Sequence, residues 1–108
     1  MKLNIKATNL ELTPAIQEYI ETKMEAVTRF LGNLDIVNFD FEVELTTKHH
    51  NKGEIFRAEA NLAVAKDLLR VEKTEADLYK AIDKVKDHLV ELIKKHKDKR
   101  IAKRREIV

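Results

Sequence analysis

Four segments of alternating hydrophobicity and two of helical periodicity occur in the order β-α-β-β-β-α. They predict an α+β fold, a four-stranded sheet with both helices packed on one face. Each strand segment has one apolar face and each helix one apolar stripe, so two layers suffice to bury them all. At 108 residues the chain is a single domain, expected over residues 1–100, with a short basic tail over 101–108.

Leu3, Ile5 and Ala7 alternate with Lys2, Asn4 and Lys6, the pattern of a half-buried strand. Thr13-Pro14 then starts a helix, with Thr13 as N-cap and Pro14 at the first helical position, where its missing N–H costs nothing. Ile16, Tyr19, Ile20, Met24, Val27, Phe30 and Leu31 follow at helical spacing. Gly32-Asn33 is expected to end that helix, because glycine adopts the left-handed C′ conformation freely.

Val37, Phe39, Phe41, Val43 and Leu45 form the inward face of a second strand, with Asn38, Asp40, Glu42 and Glu44 outward. Thr46 to Gly53 is a polar connection. Phe56, Ala58, Ala60, Leu62 and Val64 face inward on the third strand, against outward Arg57, Glu59 and Asn61. A turn is expected at Lys66-Asp67, then a fourth strand over Leu68–Lys73 with Leu69 and Val71 inward. Thr74-Glu75-Ala76-Asp77 resembles a capping box with Asp in place of Glu. The last helix is expected to begin there, with Leu78, Ile82, Val85, Leu89, Leu92 and Ile93 as its apolar stripe and no breaker before about Arg100.

A hydrophobic content of 44% with 37% charged residues suits a highly charged globule rather than a disordered chain. The absence of cysteine removes a disulfide framework, a thiolate metal site and a thiol nucleophile. No apolar run approaches a membrane span, and the alternating N-terminus lacks the apolar core of a signal peptide. The expected location is the cytoplasm.

Charge is unevenly placed. Lys94 to Arg105 holds eight Lys/Arg against one acid, whereas residues 1–93 hold 13 Lys/Arg against 17 Asp/Glu. A strongly basic end on an acidic body is the footprint of a phosphate-rich partner, or else a solvated tail favoured by the helix dipole. Length separates the two. A helix from Glu75 to Arg100 is about 39 Å long at ~1.5 Å per residue. A nine-residue strand is only about 30 Å, and the apolar stripe stops at Ile93. The basic turns are therefore expected to project beyond the sheet as a helical finger, which favours a nucleic-acid role.

Phe39, Phe41 and Phe56 share the parity of the aliphatic core residues, so packing explains them better than RNA stacking on the sheet. Asp40, Glu42, Glu44 and Glu59 on the other face would repel phosphate. His49-His50 is a weak metal signal in a polar connection. His88 is expected as a partly buried structural histidine, and His96 lies inside the basic run. Gly32 and Gly53 are the only glycines, so there is no phosphate-cradling loop. No nucleophile is paired with a base by spacing, and the carboxylates alternate with lysines as solvated faces do. An enzyme, a metal site and a cofactor are not expected.

The run Asp77-Leu78-Tyr79-Lys80-Ala81-Ile82-Asp83, together with the Lys94–Lys99 run KKHKDK, resembles the ribosome hibernation promoting factor family, also described as ribosome-associated inhibitors or sigma-54 modulation proteins. The family pattern is D-x-Y-x-A-I-D at this helix start, followed by a Lys/Arg-rich end; Asp77, Tyr79, Ala81, Ile82 and Asp83 all match. The short strand with Asn9 and the helix opened at Thr13 agree, and the likeness covers about residues 1–100. It implies a fold similar to double-stranded RNA-binding domains. It implies binding in the mRNA and tRNA channel of the small ribosomal subunit, which would keep idle ribosomes from translating under stress. Carried over by position, the RNA-binding residues are Lys23, Tyr79, Lys94, Lys95, Lys97, Lys99 and Arg100; His96 joins them from its place in the basic run, as a phosphate contact at lower pH. Tyr79 either stacks on a base or packs at the helix start. Asp77 is better explained as a cap, Ile82 as core, and Asp83 as a residue that orients a basic neighbour. Long members of the family carry a second, dimerising domain that is not in this sequence, so the chain is either a short member or the N-terminal domain of a long one, and pairing ribosomes is not expected of it unaided; when free it is expected to be a monomer. The alternatives are a general double-stranded RNA-binding module, or an interaction domain whose basic end meets an acidic protein or a second copy.

Overall fold

The computed structural model describes residues 2–46 and 53–107, with side chains as far as residue 99. His49 and His50 lie outside the described residues. Six elements follow one another: β1 (Asn4–Thr8), α1 (Pro14–Thr28), β2 (Ile36–Thr46), β3 (Ile55–Val64), β4 (Asp67–Glu75) and α2 (Leu78–Ile107). They build an α+β fold in the expected order. The sheet runs β1-β2-β3-β4, with β1 parallel to β2 across the α1 crossover and the other neighbours antiparallel.

Both helices cover one sheet face. Phe39, Phe41 and Val43 from β2 meet Ala58, Ala60 and Leu62 from β3 and Leu69 and Val71 from β4. Ile20, Met24 and Val27 close the core from α1, and Ile82, Val85, Leu89 and Ile93 from α2. Alternation predicted these inward residues because each sits on the single buried face of its strand.

Thr13 is the N-cap of α1; its hydroxyl accepts a 3.2 Å hydrogen bond from the Ile16 amide. The end of the helix differs from expectation. Regular α1 stops at Thr28, and the chain tightens into i→i+3 bonds, Phe30 N to Val27 O and Leu31 N to Thr28 O. Leu31 stays buried through this turn, which is why helical spacing appeared to continue. Gly32 does take the left-handed conformation, at φ 59°.

Val37 was expected inward and is 71% exposed. Ile36 pairs with Val64 and Asn38 with Ala63, so Val37 is the extra residue of a β-bulge. Ile36 takes the inward place instead and packs against the core. β4 is longer than expected, and the turn before it is Ala65-Lys66, with Lys66 at φ 67°.

The capping box is also corrected. Thr74 belongs to β4, paired with Arg57, and Asp77 itself caps α2: its carboxylate accepts from the Tyr79 amide at 2.9 Å. Strand pairing outcompetes an earlier helix start.

α2 holds 30 residues, about 45 Å at ~1.5 Å per residue. It returns along β4, and His96 comes back to Asp67, the first residue of that strand, at 2.9 Å. The nineteen residues Leu78–His96, about 28 Å of helix, thus match the length of the nine-residue β4, about 30 Å. The finger begins later than expected. Lys97 is the last described side chain with a bond to the body, and the helical backbone continues ten residues beyond it, about 15 Å. The domain measures 57 × 28 × 18 Å.

Candidate nucleic-acid interface

Helical geometry places Tyr19, Lys23, Ala26 and Phe30 on one stripe of α1 and its closing turn. Tyr79, Asp83, Lys86, Val90, Lys94 and Lys97 fall within a sector about 80° wide on α2. The two stripes face each other. Tyr19 meets Tyr79, Lys23 meets Asp83, and Phe30 meets both Lys94 and Lys97. Contacts advance in the same direction along both helices, so α1 and α2 run side by side in parallel and present a shared outer seam.

One end of the seam is an aromatic and ionic cluster. The Tyr19 hydroxyl donates to Asp83 Oδ1 at 2.6 Å, and Lys23 Nζ lies 3.3 Å from the same oxygen. Lys23 also sits 5.2 Å from the Tyr19 ring centroid, within cation–π range. The Tyr19 and Tyr79 rings stack edge to face at 4.8 Å and 85°. The hydrogen bond to Asp83, then burial, push the Tyr19 phenol above its ordinary value of 10.0. The hydrogen bond to Asp83 likewise raises Lys23, despite opposing desolvation. Lys23 is thus held as a cation beside the Asp83 carboxylate, whose side chain remains 43% exposed.

The other end holds the basic run. Lys94 Nζ stands 5.3 Å from the Phe30 ring centroid. Lys97 donates to the Phe30 carbonyl at 2.8 Å. His96 faces away from α1 and pairs with Asp67. Lys95 and Lys99 are exposed, and among the described residues neither forms an ion pair. The Arg100 side chain lies outside the described residues.

The residues expected from sequence thus separate into groups. Lys23 and Tyr79 come together at the start of the seam. Lys94 and Lys97 line its far end. His96 is a strut to the β3–β4 turn, and Lys95 and Lys99 are open charges. Sequence reasoning missed Tyr19 and Phe30, both assigned to a helix stripe. The repeated spacing of Tyr19, Lys23, Ala26 and Phe30 against Tyr79, Asp83, Lys86 and Val90 was the available signal.

The outer sheet face has the opposite character. Arg57 sits among Glu42, Glu44 and Glu59, at 2.7 Å from Glu44 and 3.6 Å from Glu59, with Glu42 also in direct contact. Arg70 binds Glu59 from the other side at 2.7 Å. Burial alone would lower the Arg57 pKa, but hydrogen bonds to Glu44 and Glu42 outweigh it and raise it. The Arg57 hydrogen bond holds Glu42 below its ordinary 4.5, with Thr8 adding a 2.9 Å bond. This surface is locked in its own ion pairs and has no lysine-rich stripe for phosphate.

Among the described residues no group of three or more His, Cys, Asp or Glu could hold a metal ion. No described helix is long and apolar enough to cross a membrane. His88 is half-buried, as expected, and its Nδ1 has no hydrogen-bond partner among the described residues.

The ribosome hibernation promoting factor of Klebsiella oxytoca is 32% identical over 99 residues, 92% of this chain and 96% of its own. The ribosome hibernation promotion factor of Bacillus subtilis is 32% identical over 106 residues, and there the chain spans 53% of the relative's length. The chain thus covers about half of that longer relative. The crystal structure of the Thermus thermophilus Protein Y N-terminal domain superposes with a TM-score of 0.74 at 31% identity, covering 89% of this chain and 99% of that one. The model of the family described as Sigma 54 modulation protein / S30EA ribosomal protein matches residues 3–101, and the chain belongs to that family.

Proposed function

We propose that this chain binds the small ribosomal subunit and keeps idle ribosomes out of translation. The observation that carries the proposal is the match to a hibernation promoting factor over nearly the whole length of both chains. The physical side supports it. An acidic body bearing cations at one end cannot coat nucleic acid generally, but it can enter a cleft walled by phosphate with that end leading. The mRNA and tRNA channel is such a cleft, and a rigid body lodged there excludes both ligands by occupancy, without chemistry. Lys95 and Lys99 supply the open charges of the basic end of α2, and Lys94 and Lys23 add charge along the seam. The protein's action is in the cytoplasm, where ribosomes are.

Sedimentation through a sucrose gradient with purified small subunits tests this. The protein should travel with the subunits at low salt and lower the yield of a cell-free translation reaction. A protein left at the top of the gradient at low salt would overturn the proposal.

A further inference from the structure

Three of the six aromatic side chains, Phe39, Phe41 and Phe56, belong to the core. The other three, Tyr19, Phe30 and Tyr79, all lie on the helix layer, and Phe30 and Tyr79 are each 38% exposed. Neither exposed ring is isolated. Phe30 carries Lys94 at 5.3 Å; Tyr79 leans edgewise on Tyr19, which carries Lys23 at 5.2 Å. Lys86 stands between them on the same sector of α2, held by Asp87 at 3.4 Å. The seam therefore carries an aromatic ring with its own lysine at each end and Lys86 between them, over about 16 Å from Tyr19 to Phe30 at ~1.5 Å per residue.

We propose that the α1–α2 seam is a binding site for unpaired RNA, with bases stacking on Tyr79 and Phe30 and phosphates meeting Lys23, Lys86 and Lys94. This rests on the ribosome-binding proposal for the source of the RNA and adds the face and the kind of nucleotide. Exposed aromatic rings interleaved with cations are the equipment of single-strand binding, where each ring takes a base and each cation tracks the backbone. A duplex offers such rings nothing, because its bases are already stacked on one another and show only edges and phosphates. The site is built in advance. Asp83 fixes Lys23, Tyr19 props Tyr79, and Lys97 fixes the turn that carries Phe30. The opposite sheet face, closed by Arg57 and its glutamates, leaves the helix layer as the side that meets RNA.

The test uses the full chain, a short labelled oligouridylate and an RNA duplex of equal length, read by fluorescence anisotropy beside small-subunit sedimentation. The single strand should bind more tightly than the duplex. Phe30→Leu and Tyr79→Leu keep apolar bulk but lose the aromatic face, and each should weaken single-strand binding about tenfold. Tyr79→Phe, which keeps the aromatic face, should recover most of the affinity that Tyr79→Leu loses. Circular dichroism melts show that each variant is folded, and Phe30→Leu, on an exposed turn, serves if Tyr79→Leu is not. Equal affinity for duplex and single strand, or folded leucine variants that bind like the parent, would overturn the seam site. If the parent still sediments with small subunits in that case, ribosome binding stands and only the seam fails. If the rings govern oligouridylate binding but the parent does not sediment, the seam stands and the ribosomal source is wrong.

Discussion

Lys97 donates its ammonium to the backbone carbonyl of Phe30 at 2.8 Å, across 67 positions of sequence. This single bond fastens the basic end of α2 to the turn that closes α1. Gly32 makes room for it: a Cβ there would stand 3.3 Å from Lys97 Nζ, and the residue already occupies φ +59°. The basic run is therefore a composite, part strut and part open charge.

That division predicts two different phenotypes. Lys97→Met should destabilise the fold by about 1 kcal/mol, the usual worth of one such bond, seen as a lower urea midpoint with unchanged slope. Gly32→Ala should also destabilise, through its backbone conformation and the crowding of Lys97. Lys95→Glu with Lys99→Glu should leave the midpoint within about 0.5 kcal/mol, as surface changes do, and weaken RNA binding instead. A large stability loss in the double variant would contradict the assignment of these two lysines as free.

Acid should act through the outer sheet face. Glu42 is held below its ordinary 4.5 in the fold, chiefly by the Arg57 hydrogen bond. A depressed carboxylate contributes stability that is complete above its unfolded value and is lost as pH falls through its folded one. Stability measured by urea unfolding should therefore drop as pH decreases below about 4.5, and Glu42→Gln should flatten that part of the profile. An identical profile in the variant would show that Glu42 is not the group responsible.

Asp83 is predicted to control the Tyr19 phenol. Its hydrogen bond and charge raise that pKa above 10.0, so Asp83→Asn should let Tyr19 ionise at lower pH, closer to the ordinary value. Phenolate absorbance during an alkaline titration reads this directly, with Tyr19→Phe identifying the transition. Unchanged ionisation in Asp83→Asn would refute the contact.

Ile82 is fully buried between α2 and the sheet. Ile82→Asp should abolish folding, since it buries an unpaired charge, whereas Ile82→Val should cost about 0.5–1.5 kcal/mol. Thermal melts by circular dichroism distinguish the two.

Much of the fold was legible because one residue type per position decided the face. Phe39, Phe41 and Val43 alternate with acids, so their parity left no choice, and Thr13-Pro14 marks a helix start by local chemistry alone. Val37 was misread because a bulge leaves the hydrophobic alternation intact while shifting the pairing partner, and pairing is not written locally. Thr74 and Asp77 are both of residue types that cap helices; the competition was settled by Arg57 opposite Thr74 on β3. In the interface, the lysines were legible as charge but not as struts. The partners of His96 and Lys97 lie 29 and 67 residues away, and only the return of α2 along β4 brings them together. Tyr19 and Phe30 escaped notice because a stripe residue that faces a neighbouring helix has the same spacing as one that faces the core.

The central claim is that cations on α2 bind ribosomal phosphate, and the salt dependence of affinity for purified small subunits tests it most directly. For the parent protein, log K should fall linearly with log salt, and in the Lys95→Glu/Lys99→Glu variant the slope should be shallower by about 1.4–1.8, from ~0.7–0.9 per lost phosphate contact. An affinity indifferent to salt, or a variant with the parent's slope and affinity, would contradict it.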